Sequence, residues 1–483
     1  MIKIVKKIIN SVKNFSQRMA EQEAEKIIDR YRCSDLYELH TEKEEKAMRK
    51  ILAVLLVIGF FLIPVAVASS YAGEIDILLQ KLVDKGILTT GEAQEIKTET
   101  QEQVKKEIAE GKYSSLPQWL QNTKLKGDFR LRYQYNHSKT VAEQTNERHR
   151  GRIRLRLGLD SKVNEKLLVA LGLATGLNDG SGSTFKADTI RSTNQSFDNS
   201  FSKHPINLDY AYAKYCATPW ITLLGGKVLL KDALWEAGDL MWDTDITPEG
   251  AVAVFNKKIA SFDTLLYTGF FVFEEDSSSG DDPWLFHLQP IISKKLSDDI
   301  SIKGGVAFDY FSVGNTTLNG SGKSNSWYSS GDTITPKKDV VNIMPAYELE
   351  INNPFKPLQI SFLDNVATLK LFGEYVRNLN NSKPDDNKSG YMFGLSLGQD
   401  KIKKWGDWQI SYNFARLEKD AVLDILPDSD RYGGKTNMRG HEFKLSYGLG
   451  KNTSLDFDIY RCQSLSNPRA PETLVQVDWN MKF

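Results

Sequence analysis

From about residue 123 onward the chain alternates apolar and polar side chains with a period of two. Lys124-Leu125-Lys126-Gly127-Asp128-Phe129-Arg130-Leu131-Arg132-Tyr133 does so almost without a break, and so does the stretch from Arg148 to Leu157. Similar stretches recur at 300–310, 369–375, 391–397, 408–414, 443–449, 455–459 and 475–483. Successive side chains of a strand point to opposite faces, so each stretch has one apolar and one polar face. Each is about ten residues, the length that crosses a bilayer as a tilted strand.

The connections alternate as well. Asn164-Glu165 and Lys451-Asn452 are short, whereas 178–205, 314–339, 378–387 and 418–438 are long and polar. Short turns at one end and long loops at the other are the habit of bacterial outer-membrane barrels. About sixteen strands fit between Lys124 and Phe483, a porin-sized barrel. The expected fold is therefore all-β: a transmembrane antiparallel β-barrel over 118–483. A soluble β-sandwich would alternate too. The long strands, the regular loop asymmetry and a chain that stops on Phe483 inside a strand favour the barrel.

Before residue 118 the period is helical. Ile75, Leu78, Leu79, Leu82 and Val83 share a spacing that predicts a short periplasmic helix within 73–117. Later apolar positions (Ile96, Val104, Ile108) are sparse, so the lead reads either as a coiled-coil tether or as a solvated linker. Residues 51–68 form the one long apolar run, behind Met48-Arg49-Lys50 and ahead of the small residues Ala66-Val67-Ala68 and Ser70-Tyr71-Ala72. That is the pattern of a signal peptide over 48–72. A single membrane anchor is the competing reading, weakened by Pro64 and by the lack of basic residues after the run. Residues 1–47 are read as a start-site artefact or an extension.

A single apolar run excludes a helical membrane bundle, and a mean hydropathy of −0.39 suits a barrel that shows lipid only every second residue. The net charge of zero gives no reason to expect nucleic acid as a partner. Cys33, Cys216 and Cys462 have no Cys-x-x-Cys spacing, and the six histidines are scattered, so neither a metal nor a cofactor is expected. Cys216 falls at the periplasmic end of its strand and Cys462 near the external end of another, so a bridge between them is not expected. His149 and His441 stand at strand ends without a Gly-x-Ser-x-Gly elbow or matched acids, so no catalytic residue is assigned. A structural or adhesive barrel and a barrel enzyme remain the alternatives to a channel.

The register follows from cost. If Ile153, Leu155 and Leu157 face lipid, then Arg148, Arg150, Arg152, Arg154 and Arg156 face the lumen. Lys126, Arg130 and Arg132 do the same on the preceding strand. The opposite register would put these charges in hydrocarbon, at about 2–4 kcal/mol each near mid-depth. Counter-charge is expected from inward Glu442, Asp456, Asp458 and Asp478, and from the third external loop, which holds Glu236, Asp239, Asp243 and Asp245. A basic ladder facing an acidic constriction loop would make a transverse field that favours dipolar solutes.

The final strand, from Thr473 to Phe483, puts mostly apolar residues at odd positions. Trp479, Met481 and the terminal Phe483 resemble the signal that barrel assembly machinery reads. From about Ile75 to the end, the chain resembles the putative porin family of Gram-negative outer membranes. The carrying residues are the Leu78-Leu79 to Gly86-Ile87-Leu88 helix, the 124–132 and 148–159 strands, Ala174-Thr175-Gly176, and Trp242-Asp243-Thr244-Asp245-Ile246-Thr247-Pro248-Glu249-Gly250. The resemblance implies a signal peptide, a short helical lead and one barrel that conducts small solutes and ions. It specifies no solute. The partners to expect are outer-membrane lipid, the assembly machinery and two further copies in a homotrimer.

Overall fold

The computed structural model describes scattered positions between 82 and 99, together with residues 122–483 except 141, 143, 177–189, 198, 202, 274, 276–281, 313–317, 320–323, 326–332, 335–338, 357–365 and 381–386. The expected signal peptide, residues 1–47 and the lead beyond residue 99 lie outside the described residues. Two compact units are present, one spanning residues 36–123 and one that contains residues 124–483.

In the first unit, residues 91–96 are helical. Thr89 caps that turn: its Oγ1 accepts from the Glu92 backbone N–H at 3.2 Å, and the Glu92 carboxylate accepts from the Thr89 N–H at 2.8 Å. This is a reciprocal capping box. The coiled coil is not borne out: among the described residues of the lead none forms. Ile96 is more than a third exposed there.

The second unit is a closed antiparallel barrel of 16 strands. They are β1 (Thr123–Lys139), β2 (Thr145–Lys162), β3 (Leu167–Thr175), β4 (Ile206–Thr218), β5 (Ile221–Lys227), β6 (Glu249–Ile259), β7 (Phe262–Val272) and β8 (Trp284–Lys295). Then follow β9 (Ile300–Ser312), β10 (Val340–Asn352), β11 (Thr368–Asn378), β12 (Ser389–Gly398), β13 (Trp408–Leu417), β14 (Met438–Gly450), β15 (Thr453–Ser464) and β16 (Pro471–Lys482). Each pairs with its chain neighbours, and β16 pairs with β1. Closure leaves no strand edge to be satisfied by lipid. Several strands run well past ten residues; β1 has 17 and β2 has 18. Because β3 has only 9, the upper part of β2 pairs instead with the two-residue strand Gln195–Ser196.

Among the described residues no helix is long and apolar enough to cross a membrane. The strands carry the apolar belt. Leu125, Tyr133, Leu157, Val169, Leu171, Leu173, Leu223 and Trp479 are all more than a third exposed, on the outer face. Their even-numbered neighbours Arg132, Gln134, Arg154, Gln476 and Asp478 are buried on the inner face.

Connections at the β1 start are short, such as 163–166 and 451–452, with 353–367 as the longest. At the other end most are long, 140–144 and 465–470 being the short ones. Four of the long ones matter below: loop L2 (176–205), L3 (228–248), L5 (313–339) and L7 (418–437). Cys216 lies at the short-turn end of β4, and Cys462 at the long-loop end of β15 is a free thiol, so the two are not bridged.

Candidate functional site in the barrel lumen

The inner faces of β1, β2 and β16 form a basic wall. Arg132 donates from Nε and Nη2 to the two carboxylate oxygens of Asp478, each at 2.7 Å. Arg130 shares Asp478 at 3.3 Å and donates to Asn480 at 2.8 Å. Lys126 pairs with Asp160 at 2.6 Å, and Arg154 pairs with Asp128 at 2.6 Å. Asp128 and Asp160 lie on β1 and β2 themselves, whereas Asp478 reaches Arg130 and Arg132 from β16 across the closing seam. The hydrogen bonds of Arg150 and Arg152 go to neutral groups: Asn136 accepts from Arg150 at 3.4 Å, while Gln134 and the Asn194 carbonyl accept from Arg152 at 2.9 and 3.1 Å. Arg148 is exposed at the rim.

L3 turns into the barrel, and its sequence shows why. Val228, Leu230, Ala233, Leu234, Leu240, Met241 and Trp242 are nearly all buried, against inward residues such as Tyr267, Phe271, Leu285 and Phe311. The Trp242 ring stacks on Phe311. Polar staples fix the backbone. Gln289 on β8 both accepts from the Trp235 N–H at 2.9 Å and donates to its carbonyl at 2.7 Å. On β11 the Glu374 carboxylate accepts from the N–H groups of Ala237, Gly238 and Leu240 at 2.7, 2.6 and 3.2 Å. A carboxylate gathering several backbone donors is a strong anchor.

L7 also enters the barrel, which periodicity did not predict. Its run Ala421-Val422-Leu423-Asp424-Ile425-Leu426 puts Ala421, Val422 and Leu423 at 0% exposure against L3 and the β10–β14 wall. Arg191 of L2 is itself buried and donates from Nη1 to the carbonyls of Asp424, Pro427 and Gly434 at 3.0, 2.8 and 3.1 Å. Asn342 on β10 and Asn378 on β11 donate to the Ala421 and Asp420 carbonyls at 2.7 and 2.9 Å. Asn325 of L5 donates to the carbonyls of Lys419 and Val422. The apolar run was visible in the sequence, set inside an otherwise polar loop. It was the available signal.

The acidic residues expected to oppose the ladder divide. Asp245 reaches it, 2.5 Å from Arg156. Asp243 does not: its carboxylate accepts from the N–H groups of Asp245 and Ser429 at 2.9 and 2.8 Å. Asp239 meets Arg431 of L7 at 3.1 Å, and Arg431 also holds Glu442 at 2.7 Å. Glu236 lines a small cavity together with Glu374 and His287. The second opposing carboxylate is Asp430 of L7, which sequence reasoning missed, 3.1 Å from Arg132. The lumen is also less uniformly polar than expected. Strands β8–β14 place Leu285, Phe311, Val376, Met392 and Leu417 inward because L3 and L7 pack there.

Charge differs accordingly. Burial would raise the Asp245 carboxyl, but Arg156 and Arg154 outweigh it and hold it below the ordinary carboxylate range. Arg132 and Arg152 do the same for Asp430. Among the described residues no cation pairs with Asp243, and burial with the Asp245 charge pushes it up to about 8. Burial and the charges of Asp239 and Asp243 push Asp428 well above its ordinary value. Among the described residues no group of His, Cys, Asp or Glu has the arrangement of a metal site.

A family model described as "Putative porin" matches residues 135–356 and 335–483. Among solved structures, Pseudomonas putida OprB at high pH aligns with a TM-score of 0.49 and 9% identity, over 75% of this chain and 94% of that one. A triple mutant of Rhodopseudomonas blastica porin aligns with a TM-score of 0.39 and 10% identity, over 75% of this chain and 100% of that one. No curated protein matches the chain.

Proposed function

The chain belongs to the family described as Putative porin, and we propose that it conducts small hydrophilic solutes and ions across an outer membrane, between a basic wall and two inward loops. The observation that carries this reading is the division of the lumen. Arg130, Arg132, Arg150, Arg152, Arg154 and Arg156 line one side, while L3 and L7 occupy the other and present Asp245 and Asp430 toward them. Fixed charges of both signs across a narrow aqueous path orient dipolar solutes and disfavour apolar ones. L3 and L7 together are the constriction, rather than L3 alone.

On this reading the long loops face outside and the short turns face the periplasm. Residues 48–72 direct export and are removed, and 73–117 stay in the periplasm. Trp479, Met481 and Phe483 serve the assembly machinery, and the outer face contacts lipid and two further copies in a trimer. Reconstitution into a planar bilayer tests the central claim. Discrete conductance steps in KCl are expected, and a folded, inserted barrel without steps would overturn it.

A further inference from the structure

The basic wall is unevenly neutralised. Lys126, Arg154 and Arg156 each have their own carboxylate. Toward the long-loop end, Asp478 and Asp430 answer the remaining arginines: both are in contact with Arg130 or Arg132, and Asp430 acts on Arg150 and Arg152 from farther away. Among the described residues no carboxylate lies within 4.0 Å of Arg148, Arg150 or Arg152.

The neutral groups around them are arranged one way. Gln134 Oε1 accepts from Arg152 at 2.9 Å, and Gln134 Nε2 donates to Asn136 Oδ1 at 2.8 Å. Asn136 Oδ1 also accepts from Arg150 at 3.4 Å. Asn136 Oδ1 thereby accepts twice and Gln134 Oε1 once, so both amide oxygens are turned toward donors of this chain. The Nε atoms of Arg150 and Arg152 are buried and have no partner. Alternate positions of a strand are about 7 Å apart, so successive guanidinium groups can take two anionic groups of one solute.

We propose that Arg148, Arg150 and Arg152, with the amides of Gln134 and Asn136, form a binding site for small oxyanions in the long-loop half of the lumen. The proposal rests on the channel reading above and makes it specific: carboxylated or phosphorylated solutes are held briefly on their way through. Guanidinium forks match the geometry of carboxylate and phosphate oxygens, and three arginines in succession repel cations and gain little from neutral solutes. The carboxylates beyond it, Asp430 and Asp245, limit the hold and let the anion move on.

The test is block of KCl current through the reconstituted full chain by inorganic phosphate, by succinate, and by the neutral diamide of succinate. Saturable block by phosphate, succinate or both is expected, without block by the diamide; which of the two acts identifies the preferred oxyanion. Combined Arg148→Gln, Arg150→Gln and Arg152→Gln should raise the half-blocking concentration about tenfold or more. Arg150→Gln alone should raise it in the same direction, and decides the matter if the triple variant does not assemble. A channel that conducts without anion block, or is blocked equally by the diamide, or keeps its half-blocking concentration in the assembled variants, overturns the site while leaving the channel reading intact. A barrel that never conducts overturns both.

Discussion

Arg132 on the first strand and Asp478 on the last are direct partners across the closing seam, joined by two hydrogen bonds of 2.7 Å. A slip of one residue would turn Arg132 toward lipid, so this pair carries register information that backbone bonding lacks. Asp478→Ala leaves Arg132 with Asp430 alone. Breaking a buried pair from one side costs about 3–5 kcal/mol. The folded, fast-migrating band of unheated samples should therefore be lost at clearly lower urea. An unchanged midpoint would place the register signal elsewhere.

The same seam ends on Gly127 and Phe483, whose backbone groups bond reciprocally at 2.8 and 3.0 Å. A Cβ at residue 127 would lie 2.6 Å from the Phe483 ring and 2.9 Å from the Arg156 carbonyl. Gly127→Val should lower the yield of closed barrel without lowering synthesis, and Phe483→Ala should do the same by weakening the terminal signal. Gel mobility of unheated membrane fractions reads both.

Loop L7 buries Ala421, Val422 and Leu423 completely. Putting a carboxylate at fully buried Leu423 should expel the loop, since an unpaired charge is not stable among apolar neighbours. Leu423→Asp is expected to raise single-channel conductance several-fold. Equal conductance in the two proteins would mean that L7 does not narrow the path.

Asp243 gives the constriction a pH dependence. Its carboxyl is raised to about 8 in the fold, so the folded state holds more protons than the unfolded one between the ordinary carboxylate value and about pH 8. Loop stability therefore falls as pH rises through that window. Conductance should increase from pH 6 to pH 9, and Asp243→Asn should flatten the rise. A flat wild-type profile would count against a protonated Asp243.

Asp245 and Asp430 are held ionised by the arginines they face. Replacing both with Asn removes two negative charges from the path. The reversal potential in a salt gradient should move toward anions, most clearly at low salt, where the Debye length exceeds about 10 Å. Arg152→Glu with Arg154→Glu should move it the other way.

Much of this barrel was legible in the sequence because alternation and its cost are local. The odd-numbered outward residues of β1 and the even-numbered basic face follow from one rule: arginine is not tolerated in hydrocarbon. That rule needs no knowledge of partners. It was weaker for β8, where Leu285 and Ile291 face inward and Ile292 faces outward, so both faces are apolar.

What the fold alone decided are the encounters between distant segments. Arg132 meets Asp430 across 298 positions of sequence and Arg191 meets Asp424 across 233. Nothing periodic announces either one. Sequence reading placed four acids on L3 as one opposing face, yet a loop folded into a cavity turns its carboxylates wherever donors are available. Asp243 found backbone N–H groups, Asp239 found Arg431, and only Asp245 found the ladder. The strands are dictated residue by residue by the two solvents they separate, whereas the loops take their positions from the space and the partners that only a closed barrel creates.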